Sequence, residues 1–140
     1  MSVVSASGAS GAFRGREAGV ISVRDRSEAH LVKAVGNVLT EEGKVTGTLP
    51  GTAKITINIH AGGGSATARV TLHVDGGSIN SQGSGKAHEG SGGWESFGGT
   101  MRVDGGTGRY ARASGSGHIY GALDRRNDKL VVQTVVQLRY

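Results

Sequence analysis

A chain of 140 residues fits one domain with a modest hydrophobic core and is too short for two. The absence of cysteine excludes disulfides, thiol nucleophiles and thiolate metal sites. The formal net charge of +5 is spread over scattered Lys and Arg residues, with no basic stripe interleaved with aromatics, which favours a solvated basic surface over a nucleic-acid site.

The start of the chain, MSVVSASGASGAFRGREAG, has no charged region before an apolar one, and no later segment reaches the length of a membrane span. We therefore expect a soluble, cytoplasmic protein without a membrane partner. The Ser, Gly and Ala content of the first residues predicts a flexible tail over 1–18 and a single domain over 19–140.

Alternation of apolar and polar residues predicts strands along most of the domain. In GTAKITINIHA, for example, Ile55, Ile57 and Ile59 share one face, and Lys54 and Thr56 lie on the other. The strand candidates lie near 19–24, 28–39, 43–49, 52–60, 66–75, 78–88, 95–103, 109–122 and 129–140.

Two of these segments are less regular than the others. Within 28–39, Leu31, Val35 and Val38 also have helical spacing, so this segment stays open between strand and helix, with strand favoured. The last segment, DKLVVQTVVQLRY, is apolar on parts of both faces, which indicates a central strand or one covered by a neighbouring subunit.

Turn sequences separate the predicted strands and join them as sequential hairpins. They are AGGGS at 61–65, DGGS at 75–78, EGSGG at 89–93, DGGTG at 104–108 and DRRND at 124–128. An antiparallel meander of about eight strands must hide its edges, and closure does so. We therefore predict an all-β, up-and-down, calycin-like barrel in preference to a sandwich.

Glycine is abundant, with 26 residues, and many glycines lie on the parity that carries the aliphatic side chains. Glycines at such positions either bend the strands of a filled barrel or leave an apolar cavity in its lumen. The glycines on the predicted inward face are Gly43, Gly47, Gly77, Gly83, Gly85, Gly99, Gly115, Gly117 and Gly121.

Glu95 is the strongest candidate for a catalytic residue, because it shares the inward parity with Phe97 and Met101. A carboxyl group held against apolar side chains has a raised pKa and can act as a general acid or base. Alternatively, a bulge at Gly98 and Gly99 shifts the register and places Glu95 on the surface.

Two further catalytic candidates, His118 and Tyr120, lie on the opposite parity, where a solvated role is the alternative. Trp94, Phe97 and Met101 are candidate ligand-lining residues, or they simply plug the barrel. The five histidines include no pair with metal-binding spacing, so we expect no metal site.

The run from Gly106 to Ala111 matches the G-x-G-x-x-A pattern of dinucleotide-binding loops. That pattern binds phosphate only where it follows a strand and opens a helix. Here ARASGSGHIYG follows, and its glycines and alternation exclude a stable helix. We interpret DGGTG as a hairpin turn that leads into a glycine-bent strand.

The segment GGTMRVDGGTGRYARASGSGHIYG resembles the late hairpin of the allene oxide cyclase-like and dirigent-like barrel proteins. The matching residues are Gly105 to Tyr110, followed by Ala111, Ala113, Ser114 and Gly115. The resemblance implies an eight-stranded antiparallel barrel with an apolar lumen, commonly a homo-oligomer, that directs cyclisation of a reactive apolar intermediate without a cofactor. Bacterial proteins similar in fold include pericyclic cyclases. The motif belongs to the scaffold in these families and transfers no catalytic residue.

Three functions follow from these observations. The first is a cofactor-independent cyclase or isomerase with Glu95 as acid, base or orienting group, working as an entropy trap. The second is a non-catalytic barrel that binds a small apolar molecule. The third is a structural or interaction module whose polar strand faces dock partner subunits. A luminal cavity of a few hundred Å³ would support the first two, and a filled interior the third.

Overall fold

The computed structural model describes residues 19–60 and 64–140. The predicted tail over 1–18 and part of the predicted turn at 61–65 lie outside these ranges. Eight antiparallel strands follow one another in chain order and form a closed barrel in which the last strand pairs with the first, which confirms the all-β barrel prediction. The strands are β1 (Val20–Val35), β2 (Val38–Gly47), β3 (Gly51–His60), β4 (Ser65–Val74), β5 (Gly77–Glu89), β6 (Trp94–Gly108), β7 (Ser114–Asp124) and β8 (Lys129–Arg139).

The predicted segments at 19–24 and 28–39 are not separate elements. β1 runs continuously to Val35, so the helical alternative for the second segment is wrong. β1 pairs with β2 on one side and with β8 on the other, and this tertiary pairing overrides the local helical spacing. The chain then reverses at Gly36, whose φ of 58° is in the left-handed region that glycine adopts readily.

The interpretation of DGGTG as a hairpin turn is also wrong. β6 continues through Gly108, and its last residues extend the ladder with β5, where Gly106 pairs with Ile79 and Gly108 with Gly77. The reversal comes later, over 107–113, where the Tyr110 N–H donates to the Thr107 carbonyl and the Ala113 N–H donates to the Tyr110 carbonyl, both at 3.0 Å. Gly105 and Gly106 therefore lie within the strand, and the turn only begins at Thr107 and Gly108.

The inward parity of every strand fills the barrel. Leu130 and Leu138 of β8 and Ile55 of β3 are at most 1 % exposed. At the end of the barrel where β1 begins, the Tyr110 and Tyr140 rings pack with centroids 5.2 Å apart. The other buried apolar residues are Val23, Ala29, Leu39, Val45, Ala53, Ile57, Ala66, Val70, Ile79, Met101, Val103, Ala113, Ile119, Leu123, Val132 and Val136.

Candidate functional site

The lumen of the barrel is almost filled. Its main cavity measures about 30 Å³ and lies among Asp25, Ser27, Ser81 and Met101, with aliphatic side chains around them. That volume accommodates about one or two water molecules. Organic ligands occupy pockets of roughly 300–1,000 Å³, so the lumen in this conformation has no room for a substrate.

Neighbouring atoms take up the space beside two of the inward glycines. A Cβ atom added at Gly99 would overlap the Ser84 carbonyl oxygen and lie 2.6 Å from the Cα of Gly85 on the neighbouring strand. Likewise, a Cβ at Gly121 would overlap the Phe97 ring. The glycines therefore allow β5 and β6 to approach closely and make room for the Phe97 ring, and the alternative of a filled barrel is the one observed.

Two carboxyl groups are buried inside this filled barrel. Asp25 is 6 % exposed, and its Oδ1 accepts a hydrogen bond from the Leu49 N–H at 3.0 Å. Its Oδ2 is buried and has no hydrogen-bond partner among the described residues. Burial raises the pKa of Asp25, although hydrogen bonds from the backbone of Leu49 and Thr48 oppose the increase.

Glu41 on β2 is buried more completely than Asp25. It is 0 % exposed, and neither carboxyl oxygen has a hydrogen-bond partner within the described ranges. Burial, with a smaller contribution from the negative charge of Asp128, raises the pKa of Glu41 to about 7. Such groups are costly to bury and are concentrated at functional sites, so Glu41 is a candidate site residue that the sequence analysis did not identify.

Irregular backbone lies beside Glu41. Its partner on β1 is Leu31, and the register of β1 against β2 shifts directly after Leu31. The Leu31 N–H donates to the Asp128 carbonyl at 3.0 Å, and Asp128 itself has a φ of 53°. A bulge and a left-handed residue at one place are typical of functional or mobile regions.

The predicted catalytic residue Glu95 is on the inward parity, because β5 and β6 pair without a register shift from Met101 to Glu95. It lies at the rim opposite Tyr110, and its Oε1 accepts a hydrogen bond from Arg125 Nε at 2.8 Å. Its side chain is 19 % exposed and does not line the luminal cavity. Glu95 therefore forms an ion pair with Arg125 at the rim of the barrel.

The three predicted lining residues lie in different parts of the barrel. Met101 is buried and lines the luminal cavity. Phe97 is half-buried and packs its ring against the backbone of Gly121. Trp94 points outward at the rim and is 41 % exposed. The structure does not bring these residues together as one ligand-binding surface.

His118 and Tyr120 are neighbours on the outer face of β7. Their rings are stacked, with centroids 6.3 Å apart and planes inclined by 11°. Tyr120 is 52 % exposed, and its ring lies over Gly98 of β6, where an added Cβ would be 3.2 Å from Tyr120 Cδ1. Both residues face solvent and have no route to the lumen.

A larger concavity lies on the outside of the barrel. This outer groove has a volume of about 750 Å³ and crosses the outer faces of β3, β4, β5, β6 and β7, with Val38 of β2 at one end. Most of its lining side chains are polar and on the outward parity, and two of them are arginines, while Val38, Ala68 and Met101 add apolar surface. The lining residues are Val38, Thr56, Asn58, Thr67, Ala68, Arg69, Gln82, Gly83, Ser84, Thr100, Met101, Arg102 and Ser116.

Strand register arranges the groove side chains in two adjacent rows. One row places Gln82 between Arg69 and Arg102 on neighbouring strands. The other row joins hydroxyl groups, since Ser84 pairs with Thr67 on one side and with Thr100 on the other. No aspartate or glutamate of the described chain lines the groove. The groove is therefore a cationic surface rich in neutral hydrogen-bonding groups.

None of the polar residues of the outer groove was a candidate in the sequence analysis, which on the outward parity singled out only His118 and Tyr120. The alternation that placed Val70 inward equally placed Arg69 outward, so a signal was present. That signal does not show which outward residues become neighbours, because this depends on register and on the bulge between Ile79 and Ser81.

No protein-family model, curated protein or solved structure matches this chain in the comparisons made. Within the described ranges, no helix has the length and apolar character needed to cross a membrane. Those ranges also contain no group of three or more His, Asp or Glu side chains placed to hold a metal ion.

Proposed function

We propose that this chain is a non-catalytic binding module that recognises a polar ligand on the outer groove, with the lumen serving as a packed core. One observation carries the proposal: the groove measures about 750 Å³ and the luminal cavity about 30 Å³. Only the groove falls in the range of roughly 300–1,000 Å³ that organic ligands occupy.

The chemistry of the groove supports a polar ligand. None of its side chains takes part in the side-chain hydrogen bonds found among the described residues. Their donors and acceptors are free to exchange water for a ligand. An apolar ligand would leave these groups without partners, at a cost of about 1–3 kcal/mol for each buried group.

Amide chemical shifts of the isotopically labelled full chain provide the test. The probes are a neutral sugar, a sugar acid, a nucleotide and a fatty acid. We expect a polar probe to shift the amide resonances around Arg69, Gln82 and Arg102. Shifts confined to inward positions such as Val70 and Val136, and produced only by the fatty acid, would overturn the proposal.

A cofactor-independent luminal cyclase or isomerase is the second candidate. The observation in its favour is the pair of buried carboxyls, since Glu41 and Asp25 both have oxygens without partners in the described structure. Here Glu41 takes the acid-base role, beside a bulge and a strained turn that could open the barrel end. This candidate requires an apolar probe to enter the lumen, and the fatty-acid arm of the same titration tests that step.

We also propose that the barrel self-associates. Exposed valines support this at the tip of the hairpin formed by β1 and β2, where Val32 is 52 % and Val35 is 61 % exposed. Light scattering coupled to size exclusion measures the oligomeric state. Val35→Lys should shift the chain toward monomer, and a monomeric unsubstituted chain at high concentration would refute self-association.

A further inference from the structure

We propose that the outer groove binds an acidic polysaccharide: a hydroxyl-rich polymer with carboxylate or sulfate groups, whose anions are held by Arg69 and Arg102. The inference rests on the proposed function, because it assigns a ligand class to the same groove. Its support comes from four features of the surface: charge, neutral hydrogen-bonding groups, an adjacent aromatic pair and the closed strand order.

The two arginines are arranged for separate anions. Arg69 and Arg102 are on β4 and β6, on either side of Gln82, so their Cα atoms lie two strand spacings apart, or about 10 Å. Neither is among the ion pairs found in the described chain. A guanidinium group presents a planar pair of donors that matches a carboxylate or sulfate group.

Neutral groups outnumber these charges in the groove. A ligand that satisfies them needs more hydroxyl groups than anions, which is the chemistry of an acidic sugar chain. The neutral hydrogen-bonding side chains of the groove are Thr56, Asn58, Thr67, Gln82, Ser84, Thr100 and Ser116. Five strands at spacings of about 4.8 Å give this surface a width of about 19 Å, enough for a chain of several sugars.

An aromatic pair continues the groove on the side of β7. His118 is the cross-strand partner of Thr100, which lines the groove, and Tyr120 lies beyond it over Gly98. The exposed Tyr120 ring offers a flat apolar face on which the C–H face of a sugar can pack. The aromatic pair therefore extends the binding surface past the last hydroxyl of the row.

Other acidic polymers fit this surface less well. Single-stranded nucleic acid needs successive aromatic side chains on which its bases stack, whereas this face offers one stacked pair. A peptide that binds by strand addition needs a free sheet edge, and the closed barrel has none among its described strands.

Calorimetric titration of the full chain tests the proposal. The probes are a galacturonate oligomer, the same oligomer with its carboxyls esterified, a chondroitin sulfate oligomer and single-stranded DNA of equal charge. We expect binding of the free-acid oligomer, the sulfated oligomer or both, and at least tenfold weaker binding of the esterified oligomer. The galacturonate and sulfate arms distinguish the two sources of the anion.

Variants place the binding in the groove. Arg69→Gln and Arg102→Gln should each weaken binding of the acidic oligomer about tenfold, because each removes a charge-assisted hydrogen-bonding group. Arg26→Gln is the matched control, since Arg26 is an exposed arginine on β1, four strands from β5. Tyr120→Ala should weaken binding by a smaller factor.

Each of the remaining outcomes contradicts either the acidic polysaccharide or the binding module itself. Equal affinity for the free-acid and esterified oligomers, with groove variants still weakening both, refutes the acidic ligand and leaves the binding module standing. Tighter binding of DNA than of either acidic oligomer also refutes the polysaccharide. If no polar probe binds and no groove amide shifts, the ligand class and the proposed function fail together.

Discussion

The two faces of β5 and β6 have opposite designs. On the inward face, glycines replace side chains where paired backbones approach one another, and the luminal cavity measures about 30 Å³. On the outward face, the same strands carry Gln82, Ser84, Thr100 and Arg102, which line a groove of about 750 Å³.

The contrast shows where recognition can reside in this barrel. A stable interior requires close packing, and close packing leaves no cavity that a ligand could enter. The outward polar side chains contribute little to packing, so they are free to be selected for binding.

The largest expected effect comes from filling the close approach between β5 and β6. In Gly99→Ala the new Cβ would overlap the Ser84 carbonyl and lie 2.6 Å from the Cα of Gly85. The strands must separate, so we expect the free energy of unfolding to fall by about 3 kcal/mol. Urea unfolding followed by circular dichroism measures this loss.

Gly90→Ala is the control for this substitution. Its added Cβ would lie 3.4 Å from the Trp94 carbonyl, at the outer edge of tight contact, and we expect a loss below about 1 kcal/mol. If Gly99→Ala is as stable as the unsubstituted chain, then β5 and β6 can separate without loss of stability. That result would favour a lumen that opens to a ligand.

The second prediction concerns the pH dependence of stability. Glu41 has a pKa of about 7 in the folded chain against an ordinary value of 4.5, so the folded state binds more protons than the unfolded state between these values. The contribution of Glu41 to the free energy of unfolding is therefore fully present below pH 4.5. It falls by about 3 kcal/mol in total as the pH rises to about 7. The raised pKa of Asp25 acts in the same direction.

Glu41→Gln removes the proton that titrates and should flatten the stability profile between pH 5 and 8 in urea unfolding experiments. Glu42→Gln, on the exposed side of the same strand, is the matched control and should keep the slope. A slope as steep in Glu41→Gln as in the unsubstituted chain would mean that Glu41 is solvated. The lumen would then be more open than its cavity volume indicates.

The fold could largely be predicted from the sequence because side-chain alternation has a direct physical cause. Ile55 and Ile57 were expected to face inward, and both are buried. The same alternation applied to LTEEGKV places Glu41 on the inward face with Leu39. Side-chain alternation alone therefore predicts that the Glu41 carboxyl is buried.

The outer groove could not be predicted in the same way. Its identity depends on which residues lie side by side, such as Gln82 with Arg69 and Arg102. A register change of one residue moves every side chain to the opposite face, and the bulge between Ile79 and Ser81 sets this register from outside the groove. Glu95 illustrates the related difficulty at the rim, since its partner Arg125 comes from a distant turn.

A third, smaller effect is expected at that rim pair. Arg125 is 49 % exposed, so solvent screens its interaction with Glu95. We expect Glu95→Gln to lower the free energy of unfolding by less than about 1 kcal/mol. Arg125→Gln should match it, because each variant removes the same pair. A loss above about 2 kcal/mol for Glu95→Gln alone would indicate that its carboxylate supports the interior as well as the rim.

The smallest effect on stability is expected in the groove itself. Ser84→Ala and Thr100→Val remove hydroxyl groups that have no hydrogen-bond partner among the described side chains, and both residues are exposed. Each variant should therefore change the free energy of unfolding by no more than about 0.5 kcal/mol. Urea unfolding beside Gly99→Ala compares the two faces of one sheet directly. A loss above about 1 kcal/mol at Ser84 or Thr100 would show that the outer row is needed for folding, and the polar groove would then need no ligand to explain it.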